Sequence, residues 1–216
     1  MEQALHAHHA EHGHRARRAG ERLETPKGYP EWQGRLEDCR AIWDRYQAPF
    51  ATAEAEPMRP ERLVAGLSRV VPPNALFASD VGTHHNWLVQ LWKARLPRHM
   101  LQSWGFASMG FATSGILGAK LAEPESPAIA VVGDGSFLMT PHIVATAVEY
   151  DIPAVWVVWN NYGYSAIRDL QLGMFGGEHA TTFEDRSGAL FSPDFAMMAR
   201  SISASALMMV TTNLPW

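Results

Sequence analysis

Val131-Val132-Gly133-Asp134-Gly135-Ser136 sets one acid between two glycines at the end of an apolar run. A second apolar run is interrupted by Asn160-Asn161, with 24 residues lying between Gly135 and Asn160. A carboxylate, an amide oxygen and backbone N–H groups in one cleft make a hard-cation site, and magnesium takes such incomplete cages when phosphate oxygens complete its shell. Gly133 and Gly135 leave room on both sides of Asp134 and permit backbone geometry that a side chain would forbid. The amides of Gly135 and Ser136 are then free to face an anion. The chemistry indicated is magnesium with a diphosphate-like anion. Either motif alone reads as a tight turn or a strand-end cap. The spacing joins them, because it suits one helix and the return strand of a parallel pair.

These motifs need elements to hold them, and open parallel sheets bind ligands beyond the carboxyl ends of their strands. Short apolar runs alternating with helical stretches predict strands at 75–79, 99–102, 128–132, 154–159 and 206–210. Helices are expected at 59–70 and near 85–94, 108–121, 140–150 and 194–200. In the 140–150 helix, Thr140 is expected to cap and Pro141 to take the first helical position. The fold class is α/β, a three-layer α/β/α arrangement with a mainly parallel central sheet.

Upstream, residues 1–28 hold five of the ten histidines and an arginine cluster, and read as a polar tail or the remnant of a preceding domain. His8 and His12 have a helical metal spacing, but no carboxylate or cysteine shell accompanies them. Trp32, Leu36, Cys39, Trp43 and Tyr46 recur at steps of four and three, the stripe of an amphipathic helix over 31–47 that must lie on something. A Pro- and Ala-rich linker follows, so residues 29–57 form a linker segment and 58–216 the main domain, shortened at its C-terminus.

Composition limits the partners. An apolar fraction of 47% and a net charge of −4 describe an ordinary globular chain with no basic excess for nucleic acid. No apolar run approaches the ~18 residues of a membrane span. The single Cys39 excludes an internal disulfide and fits a reducing compartment, so the cytoplasm is the expected location.

The Gly-Asp-Gly and Asn-Asn pair at this spacing resembles the thiamine diphosphate signature. The stretches SDVGTHHNW (79–87), SWGFASMGFATSGILGAK (103–120) and NNYGYSAIR (160–168) are similar to segments of the acetolactate synthase large-subunit group and its 2-oxo-acid decarboxylase and carboligase relatives. The resemblance covers roughly residues 29–216 and implies the family's diphosphate-binding domain, with thiamine diphosphate and Mg2+ as cofactors. It makes Asp134, the Asn161 side chain and the Gly163 carbonyl the magnesium ligands. Gly135 and Ser136 would offer amides to the diphosphate, with Gly133, Tyr162 and Tyr164 completing the cofactor loops. His84 matches a histidine that contacts the diphosphate, and Thr83 stands where acetolactate synthases commonly carry Gln. Met109 would be the apolar wedge that folds the cofactor, and Ala107 would turn its carbonyl to the cofactor's amino group where a glycine is frequent. Ile167 would lie on the substrate side, an apolar residue where some decarboxylases carry a catalytic Glu, which leans toward ligation over simple protonation.

In this family the glutamate that activates the cofactor belongs to a pyrimidine-binding domain, usually of a neighbouring subunit, for which the chain leaves no room. Glu149 and Glu178 occupy no family catalytic position. The expectation is a piece of a longer, homo-oligomeric enzyme, a dimer or tetramer, acting on a 2-oxo acid with that domain as partner and inactive by itself. FAD would belong to the full-length enzyme only. The alternatives are the β chain of a split decarboxylase and a non-catalytic cofactor-binding or interaction module.

Overall fold

The computed structural model describes residues 29–56, 58–202 and 208–211. The chain forms two compact units, residues 1–46 and 47–216. Helix α1 (Pro30–Thr52) carries the aromatic stripe and continues through Pro49, past the expected end at Gln47. Trp32, Leu36, Cys39, Trp43 and Tyr46 are all exposed.

The second unit is built on five parallel strands in the order β2-β1-β3-β4-β5. They are β1 (Leu76–Ser79), β2 (Met100–Gln102), β3 (Ala128–Gly133), β4 (Val155–Asn160) and β5 (Met208–Thr211). All five follow the apolar runs of the sequence. The helices are α2 (Pro60–Val70), α3 (Thr83–Leu91), α4 (Phe111–Ala122), α5 (Asp134–Met139), α6 (Ile143–Glu149), α7 (Ser165–Phe175) and α8 (Phe195–Ser201).

Strand residues alternate between two cores. Phe77, Ile129, Val131, Val157 and Trp159 pack with Leu63, Val64 and Leu67 of α2 and Leu88 of α3. Ala78, Ala130, Val132, Trp156 and Val158 pack on the other face with Ile116 and Leu117 of α4 and with Phe137, Val144 and Phe195. Burial on both faces is why β3 and β4 read as unbroken apolar runs, and it gives the three-layer α/β/α architecture. None of the described helices is long and apolar enough to cross a membrane.

Two helical expectations are corrected. Thr140 does not cap the 140–150 helix, and Pro141 is not its first residue. The helix starts at Ile143 with His142 at its N-cap and no side-chain cap bond. The reason lies upstream. Residues 134–139 are themselves helical, Thr140 closes that helix, and its Oγ1 accepts from Ser114 at 3.3 Å. The helices α5 and α7 were absent from the expected set. The six residues of α5 show too few turns for a periodicity. In α7, Ile167, Leu170 and Met174 have helical spacing but are exposed.

The chain leaves β1 for β2 on one side, while β3 lies on the other side of β1. The loops that follow β1 and β3 therefore part at a topological switch point, the place where open α/β sheets leave a crevice.

Candidate functional site

The loops after β1, β3 and β4 line one cleft, together with Met109. Asp134 is the first residue of α5 and is buried. Its Oδ1 accepts from the Gly135 N–H at 2.9 Å and its Oδ2 from the Gly163 N–H at 3.0 Å, so it spans the ends of two neighbouring strands. Burial raises its pKa from 3.8 to about 6, against the lowering effect of those N–H donors.

The room expected on both sides of Asp134 is present, and the special backbone geometry expected of the two glycines is corrected. Gly133 has φ −69°, and neither it nor Gly135 is left-handed. What they supply is space. A Cβ on Gly135 would stand 2.5 Å from Cε1 of Tyr164, and one on Gly133 would stand 3.2 Å from Cε1 of His84.

The left-handed backbone falls instead on Tyr162 (φ 58°) and Gly163 (φ 156°). That loop is pinned on three sides. Asn160 Oδ1 accepts from Tyr162 N at 3.2 Å, Phe183 N donates to the Tyr162 carbonyl at 2.7 Å, and Tyr164 N donates to the Thr181 carbonyl at 2.8 Å. A Cβ on Gly163 would collide with the Thr181 carbonyl oxygen, which is backbone and unable to rotate away. Gly163→Ala is therefore expected to destabilise the chain by about 2–4 kcal/mol, combining backbone strain and overpacking. Urea unfolding monitored by circular dichroism measures it, and a midpoint equal to wild type would refute it.

His84, in the first turn of α3, is buried with its Nε2 unpartnered. Its pKa is lowered from 6.5 to about 3, first by burial and then by the neighbouring His85, against a backbone hydrogen bond to Asp80. Ser165 Oγ is also buried without a partner. Among the described residues three buried side-chain atoms are orphaned in this way, the third being Gln47 Oε1, and both His84 and Ser165 line the cleft. Native interiors leave few such atoms, so two in one cleft mark groups that a ligand satisfies.

The remaining sequence-selected residues divide. Asn161 lines the cleft and its Nδ2 donates to Thr83 Oγ1 at 3.3 Å. Ser136 gives its hydroxyl to the Val81 carbonyl at 3.1 Å. Tyr164 packs edge-on against Phe183 and overlies Gly135. Ile167 is half exposed where it lines the cleft. Ala107 and Tyr162 are not among the cleft-lining residues, although both are left-handed, Ala107 at φ 56° where glycine would be at ease. Glu178 is spent on the hydroxyls of Thr181 and Thr182, and Glu149 is exposed.

Sequence reasoning missed Ser165 and Asp80. Asp80 had a signal: like Asp134, it is an acid directly after an apolar strand. Among the described residues no three His, Cys, Asp or Glu side chains converge to hold a metal. A cation here would have to take amide, carbonyl and ligand oxygens besides Asp134.

A doubly wound parallel sheet with a polar cleft at its switch point is the arrangement in which open α/β domains bind ligands. The chain belongs to the thiamine pyrophosphate enzymes, since residues 80–214 match that family's C-terminal TPP binding domain. It is 31% identical over 181 residues to a probable acetolactate synthase large subunit of Methanocaldococcus jannaschii, covering 81% of this chain and 29% of that protein. It is 32% identical over 156 residues to the acetolactate synthase large subunit of Haemophilus influenzae, covering 72% of this chain and 26% of that one. The chain thus spans less than a third of the length of these relatives. In fold it is similar to the thiamine diphosphate-dependent 4-hydroxybenzoylformate decarboxylase of Rhodococcus jostii, with a TM-score of 0.64 at 20% identity over 76% of this chain and 34% of that one.

Proposed function

We propose that the chain supplies the thiamine diphosphate- and magnesium-binding half of an acetolactate synthase-like active site acting on 2-oxo acids. The observation that carries this reading is the cleft itself, which is lined by a buried carboxylate shared by two strand ends and by two residues with orphaned polar atoms. Asp134 and Asn161, with the Gly163 carbonyl, would hold the magnesium. The Gly135 N–H, expected to face the anion, is instead taken by Asp134 Oδ1, so the Ser136 amide and the Nε2 of His84 would meet the diphosphate, with the absence of side chains on Gly133 and Gly135 leaving the cradle open. Met109, which lines the same cleft, would pack against the organic part of the cofactor. When bound, thiamine diphosphate supplies the electron sink for cleaving the bond beside a 2-oxo acid's carbonyl.

Ile167 offers no proton at the mouth of the cleft, which favours carbon–carbon ligation over protonation of the product. Among the described residues Asp134 is the one carboxylate lining the cleft, and a bound metal would occupy it. The acid that activates the cofactor then comes from a pyrimidine-binding domain, and the 216 residues alone turn over no 2-oxo acid.

Trp159 lies 6.2 Å from His84, ring centre to ring centre, so its emission reports on the cleft. Titrating the chain with thiamine diphosphate should give a saturable change that requires magnesium, with no consumption of pyruvate. A folded sample showing no saturable change by fluorescence or calorimetry refutes the reading.

A further inference from the structure

Asp80 stands at the end of β1, fully buried, and no role described above uses it. Five donors converge on its carboxylate. Oδ1 accepts from the N–H groups of Val81 at 2.8 Å and Gly110 at 3.1 Å. Oδ2 accepts from Ala112 N at 2.9 Å, Thr113 N at 3.3 Å and Thr113 Oγ1 at 3.4 Å. A buried acid is tolerated at this density of donors and is costly at a lower one.

The distribution of these bonds is informative. Those to Ala112 and Thr113 satisfy the first turn of α4, as any N-terminal cap would. The bond to Gly110 lies outside the helix and fixes the residue that follows Met109. Gly110 is left-handed at φ 88°, and a Cβ there would meet Thr140 Oγ1 at 3.3 Å, so the turn has one narrow solution. Met109 projects from that turn over the start of α5, its Cε 3.5 Å from where a Cβ on Gly135 would stand. The same Oδ1 holds Val81, whose carbonyl receives the Ser136 hydroxyl at 3.1 Å. Val81 and Gly110 share that oxygen, and of the two bonds only the one to Gly110 bears on the turn that carries Met109.

We propose that Asp80 is the positioning residue for Met109, setting where that side chain stands above the cleft and hence how tightly the organic part of the cofactor is held. This rests on the thiamine diphosphate reading. Asp80 touches no ligand itself. Its effect is confined to what Met109 contacts and leaves the diphosphate and cation groups alone.

Two ligands separate these parts. Inorganic pyrophosphate with magnesium uses only the anion and cation groups, whereas thiamine diphosphate also reaches Met109. Calorimetry on the full chain should show Met109→Ala, Asp80→Asn and Gly110→Ala each weakening thiamine diphosphate about tenfold, with pyrophosphate changed less than about twofold. Because the residues act as one unit, Asp80→Asn combined with Met109→Ala should lose about tenfold, where independent effects would multiply to about a hundredfold. Equal losses for both ligands, or multiplying effects, would overturn the assignment. If Asp80→Asn does not fold, Gly110→Ala with Met109→Ala gives the same cycle without unpairing a buried charge, and multiplying effects there overturn it equally. A wild-type chain that binds pyrophosphate but not thiamine diphosphate overturns the cofactor reading along with the assignment. Variants that fail the pattern while wild type binds both ligands overturn the assignment alone.

Discussion

Asp134→Ala should abolish magnesium-dependent binding of thiamine diphosphate, weakening it by about a hundredfold or more. In a dry cleft a charged contact is worth up to ~3 kcal/mol, and that energy is a hundredfold in affinity. The loss is not expected to come from unfolding. Alanine leaves the N–H groups of Gly135 and Gly163 without their acceptor, which costs stability, but it also removes an acid whose ionisation burial disfavours. These two effects oppose each other, so the variant should melt within a few degrees of wild type while losing its ligand. Calorimetric titration with magnesium present and then chelated tests both parts. Magnesium-dependent binding that survives in Asp134→Ala would place the cation elsewhere in the cleft and dissolve the link between the two motifs.

That link was the most legible feature of the sequence. β3 and β4 are buried on both faces, so each appears as an apolar run whose end is marked by the first polar residue, and those residues are Asp134 and the Asn160-Asn161 pair. Spacing alone then placed the two ends side by side. What stayed hidden has physical causes as well. α5 is too short for a hydrophobic period, and its glycine argues locally for a turn. The need for Gly135 comes from Tyr164, 29 positions away in the chain, and no local reading of Gly-Asp-Gly contains it. Asp80 was passed over because its partners Gly110, Ala112 and Thr113 are apolar or small and advertise nothing, since they contribute backbone N–H groups. The α1 stripe shows the converse: a clear helical period in the sequence states that a face is apolar and does not state what covers it.

The pH dependence of stability should separate the two ionisable groups of the cleft. Without added cation, Asp134 has a pKa of about 6 in the folded chain against an ordinary 3.8, so the folded state holds its proton more firmly than the unfolded one. Its contribution to stability is therefore fully present below 3.8, is lost as pH rises through about 6, and stays lost above that. At ~1.4 kcal/mol per pH unit, the gap corresponds to about 3 kcal/mol. His84 runs the other way. Its pKa falls from 6.5 to about 3, so its contribution is present above 6.5 and is lost progressively as pH falls toward 3. The two largely cancel near pH 5 in the wild-type melting curve, and the comparison that isolates Asp134 is with Asp134→Asn. Relative to that variant, wild type should gain about 2 kcal/mol between pH 7.5 and pH 4.5. Magnesium with pyrophosphate reverses the preference, because a cation requires Asp134 ionised, so the stabilisation they confer should be large at pH 7.5 and nearly absent at pH 4.5. Parallel curves for wild type and Asp134→Asn would show that Asp134 does not bear the burial cost. Between about pH 3 and pH 6 the empty cleft holds Asp134 and His84 both neutral, whereas a bound cation would need Asp134 ionised, which is why filling the cleft reverses its pH preference.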